Sequence, residues 1–462
     1  MRRAGARVPC GERERPEPPA VLSGGGSGRR QGRILLEKSG RRSARAGRVQ
    51  GAPAGRTECQ ATAGGRALSI ASAFHWDPRT RLVYGLGAVQ RVGEEARQIG
   101  AARVLVVTDP GIVAAGHVER AVRSLEGAGV AAVVFDRVRE NPTTLDVDRC
   151  LEAARAARID AIVGLGGGSS LDTAKGCNFL ITNGGRMRDY WGVGRASEPL
   201  LPLIAIPTTA GTGSECQSFA LIADEETHQK MACGDPKAAP RVAILDPELT
   251  LSQPRAVAAC TGMDALAHAV ETAVTRRRTP LSQVFSREAF RLTLESFPRV
   301  LERPEDLEAR SAMLLGAAFA GMAIELSMLG AAHSCANPLT ARFGIIHGQA
   351  VGVMLPHVVR FNGRDPAAAR AYRDLAVAAG IVPLEADPAP AVEALAGRLE
   401  QCLRAAGLAE SLAALGVTAD AVPALAEGAS QQWTARFNPR EPAREDFARL
   451  YESALAGRPF PG

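Results

Sequence analysis

The chain has 462 residues, 46% hydrophobic, 23% charged and only 4% aromatic, a balance that suits two or three globular domains with a large core. Its net charge of +6 comes from one end: residues 1–70 hold 15 Lys/Arg against 5 Asp/Glu, while the rest hold 40 against 44. The body is therefore slightly acidic, which excludes the footprint of a nucleic-acid binder. Nine cysteines without a CxxC or regular spacing exclude a disulfide frame and read as thiols of a reducing, cytoplasmic compartment.

Residues 1–70 are rich in Arg, Gly and Pro and lack apolar periodicity, so they read as a disordered basic tail. They contain no apolar stretch of secretory type, and their Gly, Pro and Glu content argues against a transit peptide. Two readings of the tail stand: a functional arm, or a stretch read from upstream of the natural start and outside the functional protein.

Order is expected from residue 74. RVLVVTD (103–109), AAVVFD (131–136), AIVGL (161–165), LPLIAI (201–206) and RVAILD (241–246) read as short apolar strands. GHVERAVRSLEGAG (116–129) and LDVDRCLEAARAA (145–157) read as helices between them. Strand–helix alternation of this kind predicts a mostly parallel sheet covered on both faces. The β signals stop after DPELTLSQPRAV, which places a boundary near residue 250. An α/β domain is expected over 74–250 and an all-helical domain over 251–462, its helices broken at Pro280, Pro298, Pro304, Pro338 and Pro356. The run closest to a membrane span is 312–332. It carries Glu325 at its centre, costly in lipid, and reads as a buried helix.

Two loops in the first part have the composition of phosphate cradles. In AIVGLGGGSSLDTAKG (161–176) a glycine turn lies between a strand and a helix, where free backbone N–H groups can receive a pyrophosphate. It is neither the GxGxxG fingerprint nor a Walker A loop. PTTAGTGSE (207–215) offers hydroxyls around glycines after a second buried strand. Either loop alone is more simply a tight turn; Asp172 reads as a first-turn carboxylate and Lys175 as a surface lysine.

Asp264, His268, His333 and His347 have the side chains of a metal site. Asp264 and His268 lie four apart in TGMDALAHAVE, on one face of a helix. His333 and His347 lie in GAAHSCANPLTARFGIIHG, a helical run broken at Pro338 and followed by another apolar segment. One carboxylate with three imidazoles suits a divalent first-row ion. Taken singly, each His reads as a core histidine and Asp264 as a carboxylate near a helix N-terminus.

GGGSSLDTAK, PTTAGTGSE, DALAHAVE and the paired His segment, in this order and spacing, resemble the iron-containing (group III) alcohol dehydrogenases over roughly residues 74–460. The resemblance implies a dehydroquinate-synthase-like fold, with an α/β nucleotide-binding domain followed by an all-α metal-binding domain. It places the metal ligands at Asp264, His268, His333 and His347. It places the cofactor contacts at Asp109, Asn141, Gly167, Gly168, Ser169, Thr208, Thr212 and Lys230. A carboxylate at Asp109 would bind the adenosine ribose hydroxyls and favour NAD over NADP; its plainer role is a turn Asp before Pro110. Asn141 and Lys230 have equally plain readings, as a turn residue and a solvated lysine. Many family members carry a further His four residues after the third ligand, whereas this chain has Asn337, which exchanges no proton near neutrality.

The function implied is hydride transfer between a primary or secondary alcohol (or its aldehyde or ketone) and NAD, assisted by Fe(II), with Zn(II) or Mn(II) also compatible with the ligands. The expected partners are a small alcohol or aldehyde and a second copy of the chain, with no nucleic acid and no membrane. Alternatives are a lyase of the dehydroquinate synthase type, against which three His with Asp argue, and a non-catalytic member. The substrate is not legible, although small residues around 321–332 suggest a roomy pocket there.

Overall fold

A computed structural model of the chain describes residues 76–227 and 229–461; the basic tail expected over 1–70 lies outside the described residues. Nine strands occur among them: β1 (Arg81–Tyr84), β2 (Arg103–Val107), β3 (Ala131–Phe135), β4 (Ala161–Gly166), β5 (Gly192–Val193), β6 (Leu203–Pro207), β7 (Phe219–Ala223), β8 (Lys230–Gly234) and β9 (Val242–Leu245). The helices interleaved with the strands are α1 (Val92–Gln98), α2 (Pro110–Ala114), α3 (His117–Gly127), α4 (Thr144–Ala157) and α5 (Gly168–Asn183). From residue 255 onward the regular structure is helical: α6 (Arg255–Thr272), α7 (Pro280–Glu302), α8 (Leu307–Leu326), α9 (Ala331–Phe343), α10 (His347–Asn362), α11 (Pro366–Ala378), α12 (Pro388–Ala405), α13 (Val422–Ser430) and α14 (Arg444–Ala456), joined by short 3-10 turns.

Six strands form one sheet in the order β1-β9-β6-β4-β2-β3, with every neighbouring pair parallel. The apolar run Val104–Val107 is wholly buried because alternate side chains serve opposite faces. Val104 and Val106 join a core with Val92, Ala96, Val118 and Leu125 of α1 and α3. Leu105 and Val107 join a separate core with Val147 and Cys150 of α4 and Ala174 of α5. The seven cysteines among the described residues are free and buried.

A second sheet, β5-β8-β7, was not legible in the sequence. β7 and β8 pair antiparallel, with Phe219 opposite Gly234 and Ala223 opposite Lys230. This hairpin leans on α5 and carries Lys230 at its outer end.

In the helical domain, Pro280 opens α7 at its first turn and Pro304 lies between α7 and α8, as punctuation. Pro298, Pro338 and Pro356 do not break helices; they lie inside α7, α9 and α10. An interior proline costs about 3 kcal/mol, and burial of the turns on either side offsets that cost: α9 and α10 are apolar over most of their length and packed into the largest core. Helix α8 is long and apolar enough to span a membrane by length and composition, yet most of it is buried within the protein. Glu325 near its end accepts from the backbone N–H of Ser218 at 3.0 Å and pairs with Arg79 at 3.1 Å, fastening α8 to the α/β domain.

Candidate active site

The carboxyl edge of the parallel sheet gathers the glycine turn and the hydroxyl loop. The N–H of Thr208, just after β6, donates to the carbonyl of Gly166 at the end of β4 (3.0 Å), which sets the loops side by side. A side chain at Gly168 would run into Thr212, so only glycine permits this approach. Gly167 is the N-cap of α5 and offers no side chain to the first turn, leaving N–H groups of a 16-residue helix facing outward beneath Thr208, Thr209 and Thr212. The hydroxyl of Ser169 accepts from the N–H of Asn141 at 3.3 Å. Asn141 itself holds a left-handed backbone, φ 51°.

Asp109 follows β2 beside this turn. One carboxylate oxygen accepts from the N–H groups of Gly111 (2.9 Å) and Ile112 (3.2 Å), capping α2, and the other accepts from Ser170 at 3.4 Å. The turn reading of Asp109 therefore describes one oxygen, while the second points toward the glycine turn. Lys175 is not at the surface. It is fully buried, and its ammonium donates to the Ser214 carbonyl (2.6 Å), the Ser214 hydroxyl (2.8 Å) and the Phe219 carbonyl (2.9 Å). Asp172 in turn accepts from the Ser214 hydroxyl at 2.9 Å. This pair ties α5 to the hydroxyl loop from below.

The four candidate ligands converge from three helices. Asp264 and His268 are one turn apart on α6, His333 lies in the first turn of α9, and His347 is the first residue of α10. The start of α10 comes this close because Gly348 lies against the carbonyl of Cys260, where a side chain would collide. One Asp264 oxygen faces Nε2 of His268 and of His333 at 3.4 Å each, and of His347 at 3.9 Å. These separations are longer than charge-assisted hydrogen bonds. The two 3.4 Å separations match the edge of a tetrahedron whose corners stand about 2.1 Å from a central ion, which works out at about 3.4 Å, and His347 stands somewhat farther out. Asp264 Oδ1 and His333 Nε2 are buried with no hydrogen-bond partner, a combination that a metal ion would satisfy. The donor set and its geometry fit a divalent cation.

Electrostatics supports the same reading. Burial lowers His268, and it drives His347 down to about 3, with the Lys230 charge assisting and Asp264 opposing. Both rings are thus held neutral, the form that coordinates. Burial alone would raise Asp264, but the surrounding imidazoles outweigh it and keep the carboxyl below its ordinary range. Burial would also lower His333, yet the charges of Glu271 and Asp264 outweigh it and raise it to about 9.

Glu271 is a residue that sequence reasoning missed. Its carboxylate bonds Nδ1 of His333 and accepts from the N–H of Ala332 at 2.7 Å. It therefore aims Nε2 of His333 at the site and also places negative charge at the N-terminus of α9. The signal was present in the sequence: Glu271 follows His268 by three positions and Asp264 by seven, on the same helical face.

A cavity of 170 Å³ connects the two halves of the site. Its walls include Asn141, Leu221 and Lys230 from the α/β domain and Asn337, Thr340 and His347 from the helical domain. Asn141 and Lys230 thus share a space with a candidate metal ligand, whereas Asp109, Gly167, Gly168, Ser169, Thr208 and Thr212 surround the sheet edge. Residues 321–332 are absent from the walls of this cavity, and Gly321 packs directly on the backbone of Gly213. The small residues there serve close packing.

A parallel nucleotide-type sheet joined to helices that bring Asp and three His to one point defines a metal-dependent oxidoreductase class. Residues 78–247 match the family model for iron-containing alcohol dehydrogenase, and residues 258–455 match that for the C-terminal part of the Fe-containing alcohol dehydrogenase family. The NAD-dependent methanol dehydrogenase of Bacillus methanolicus is 35% identical, over 81% of this chain and 97% of that protein. The lactaldehyde reductase of Escherichia coli K12 is 33% identical, over 80% and 97%. Among solved structures, a 1,3-propanediol oxidoreductase superposes with TM-score 0.80 at 31% identity, covering 83% of this chain and 100% of that one. The chain belongs to the iron-containing alcohol dehydrogenase family.

Proposed function

We propose that this chain interconverts a small alcohol and its aldehyde or ketone, with NAD as the hydride carrier and a divalent ion, Fe(II) first, held by Asp264, His268, His333 and His347. The observation that carries the reading is the convergence of these side chains beside a cavity that also reaches Asn141 and Lys230. When bound, the ion supplies Lewis-acid polarisation of the alcohol or carbonyl oxygen and the dinucleotide supplies or removes the hydride.

The chain's own residues do the positioning. The uncapped start of α5, with Gly167, Gly168, Ser169, Thr208 and Thr212 around it, receives the pyrophosphate. The Asp109 oxygen that does not cap α2 takes the adenosine ribose hydroxyls and disfavours a 2′-phosphate. Lys230 and Asn141 hold the nicotinamide end over the cavity, and Glu271 keeps His333 in the ligating tautomer. Asn337 moves no proton. On this reading residues 74–250 bind the dinucleotide and residues 251–462 the metal.

The names of the relatives support short alcohols as substrates. The test is NADH formation by anaerobically reconstituted protein, one metal at a time, across methanol, propanediols and longer alcohols. Turnover that survives complete chelation refutes the metal's role, and the absence of turnover with every alcohol and metal refutes the reading altogether.

A further inference from the structure

A second, smaller cavity lies where the chain crosses from the α/β domain into the helical one, and no candidate metal ligand lines it. Its volume is 10 Å³, room for one water-sized occupant. Thr250 and Gln253 of the crossing segment, Thr261 of α6 and Arg310 of α8 are its polar lining, and no carboxylate reaches it.

Arg310 decides what such a cavity can hold. The residue is 2% exposed. Its Nε donates to the carbonyl of Pro304 and its Nη1 to the carbonyl of Thr250. A guanidinium has five N–H groups, so the rest, including both on Nη2, donate to no group among the described residues. Arg310 also forms no ion pair among them: Asp306, close in sequence, is taken by Arg299 and Arg303, and Glu305 is exposed. Burial holds Arg310 below its usual range, with the charge of Glu305 opposing, as befits a cation whose charge is poorly balanced nearby.

Two further features add to the positive character. Helix α6 begins after Pro254, which offers its first turn no side-chain cap, and Ala258 near that end lines the cavity. Gln253 donates through Nε2 to the hydroxyl of Thr261 at 2.9 Å, which leaves its second amide N–H without a partner among the described residues. The hydroxyls of Thr250 and Thr261 cannot supply negative charge; they donate to the carbonyls of Pro247 (2.8 Å) and Val257 (2.9 Å).

We propose that this cavity binds one small monovalent anion, chloride in ordinary solution, held by Arg310 and Gln253. A water molecule there would leave the buried charge unbalanced, and a carboxylate or phosphate exceeds the volume. The ion touches the base of the hydroxyl loop, because Ala210 lines the same cavity and the adjoining Gly211 packs on Thr261 too closely for any side chain. It therefore braces the crossing segment against that loop. The site stands apart from the alcohol dehydrogenase reading and survives its failure.

Anomalous diffraction at long wavelength, from crystals of the full chain in sodium chloride and after exchange into sodium bromide, locates the ion. Thermal melting in sodium chloride against sodium gluconate at equal ionic strength measures its effect in the wild type, Arg310→Met and Gln253→Leu. The expected result is an anomalous peak within about 3.5 Å of the Arg310 guanidinium. The wild-type midpoint should rise saturably, by about 2 °C at about tenfold excess of chloride over its Kd. Arg310→Met loses that rise, and Gln253→Leu needs about threefold to tenfold more chloride to reach it. Gln253→Leu keeps both carbonyl bonds of Arg310, so it decides the matter if Arg310→Met fails to fold. A water with no anomalous signal in either salt overturns the site. A peak without a saturable rise is an adventitious ion only and overturns it as well. A rise that Gln253→Leu shows at the same chloride concentration as wild type means that chloride acts elsewhere, at the start of α5 or among the metal ligands, and also refutes it.

Discussion

Replacing Glu271 by Gln tests whether the His cluster is a metal site held in shape by its surroundings. Glu271 is 2% exposed and serves two N–H groups, that of Ala332 at 2.7 Å and Nδ1 of His333. A glutamine can still accept from Ala332, but its second position is then an NH2 group that faces Nδ1–H, donor against donor. His333 can relieve this by moving its proton to Nε2, which removes the lone pair that points at Asp264 and the other rings. Losing such an orienting partner typically costs tenfold to a hundredfold in metal affinity, or about 1.4–2.7 kcal/mol. Competition against a chelator of known affinity, with anaerobic Fe(II) and separately with Zn(II), measures this directly. Circular dichroism of the same samples checks that α6 and α9 remain folded. A folded Glu271→Gln protein that binds metal within twofold of the wild type would refute the assignment of Nε2 as the ligating atom.

Four further outcomes are expected. His268→Ala abolishes metal retention and turnover but leaves NADH binding, followed by its fluorescence, close to wild type; loss of both together argues against separate metal and dinucleotide sites. Asp109→Asn keeps the α2 cap while removing the charge, so the kcat/KM ratio of NADPH to NADH rises about tenfold or more with little change in melting temperature, and an unchanged ratio means that Asp109 is a cap alone. Burial raises the fully enclosed Glu215 to about 7, above its ordinary 4.5. The folded chain then keeps a proton that the unfolded chain loses, so stability falls as pH rises from about 4.5 through 7. Glu215→Gln should accordingly be more stable than wild type by about 3 kcal/mol at pH 8 and equal to it at pH 4; denaturant titrations at the two pH values decide, and an equal difference at both refutes the shift. Gly321→Ala forces a methyl against the Gly213 backbone and should cost about 1–3 kcal/mol in denaturant titrations, whereas an unchanged stability would show that the contact yields.

Five of the six strands of the main sheet and the clustering of Asp264 with the three histidines were legible because their signals are local. β2 and β4 are apolar runs bounded by turns, and Asp264 and His268 sit on one helix at a spacing that needs no tertiary knowledge. What escaped depended on neighbours far along the chain. β7 and β8 are five residues each, and apart from one bridge from Ala223 to Thr143 they pair with one another and with the two-residue β5, so their short patterns did not stand out. Pro338 reads as a break because local propensity penalises it, and only the packing of α9 in the helical core reverses that. Lys175 looked exposed by composition, yet three oxygens from the loop near Ser214 and from β7 receive its ammonium. Small residues at 321–332 suggested space, whereas Gly321 lies directly on the backbone of Gly213. Glu271 was visible in the motif, but its partner His333 lies 62 residues away.

The contact between Gly213 and Gly321 has a mechanical consequence. Backbone lies on backbone there, with no rotamer to give way, and the Ser218–Glu325 bonds stand next to it. The two domains meet there without slack, so a rotation about this contact would shift the near parts of the α/β domain least. Displacement in a rotation grows with distance from the axis. The β7–β8 hairpin begins beside this contact at Phe219 and Gly234 and ends at Ala223 and Lys230, about 13 Å along the strands. Lys230 stands at the far end of the hairpin from this contact, so its reach into the cavity would respond more to such a rotation than Phe219 would.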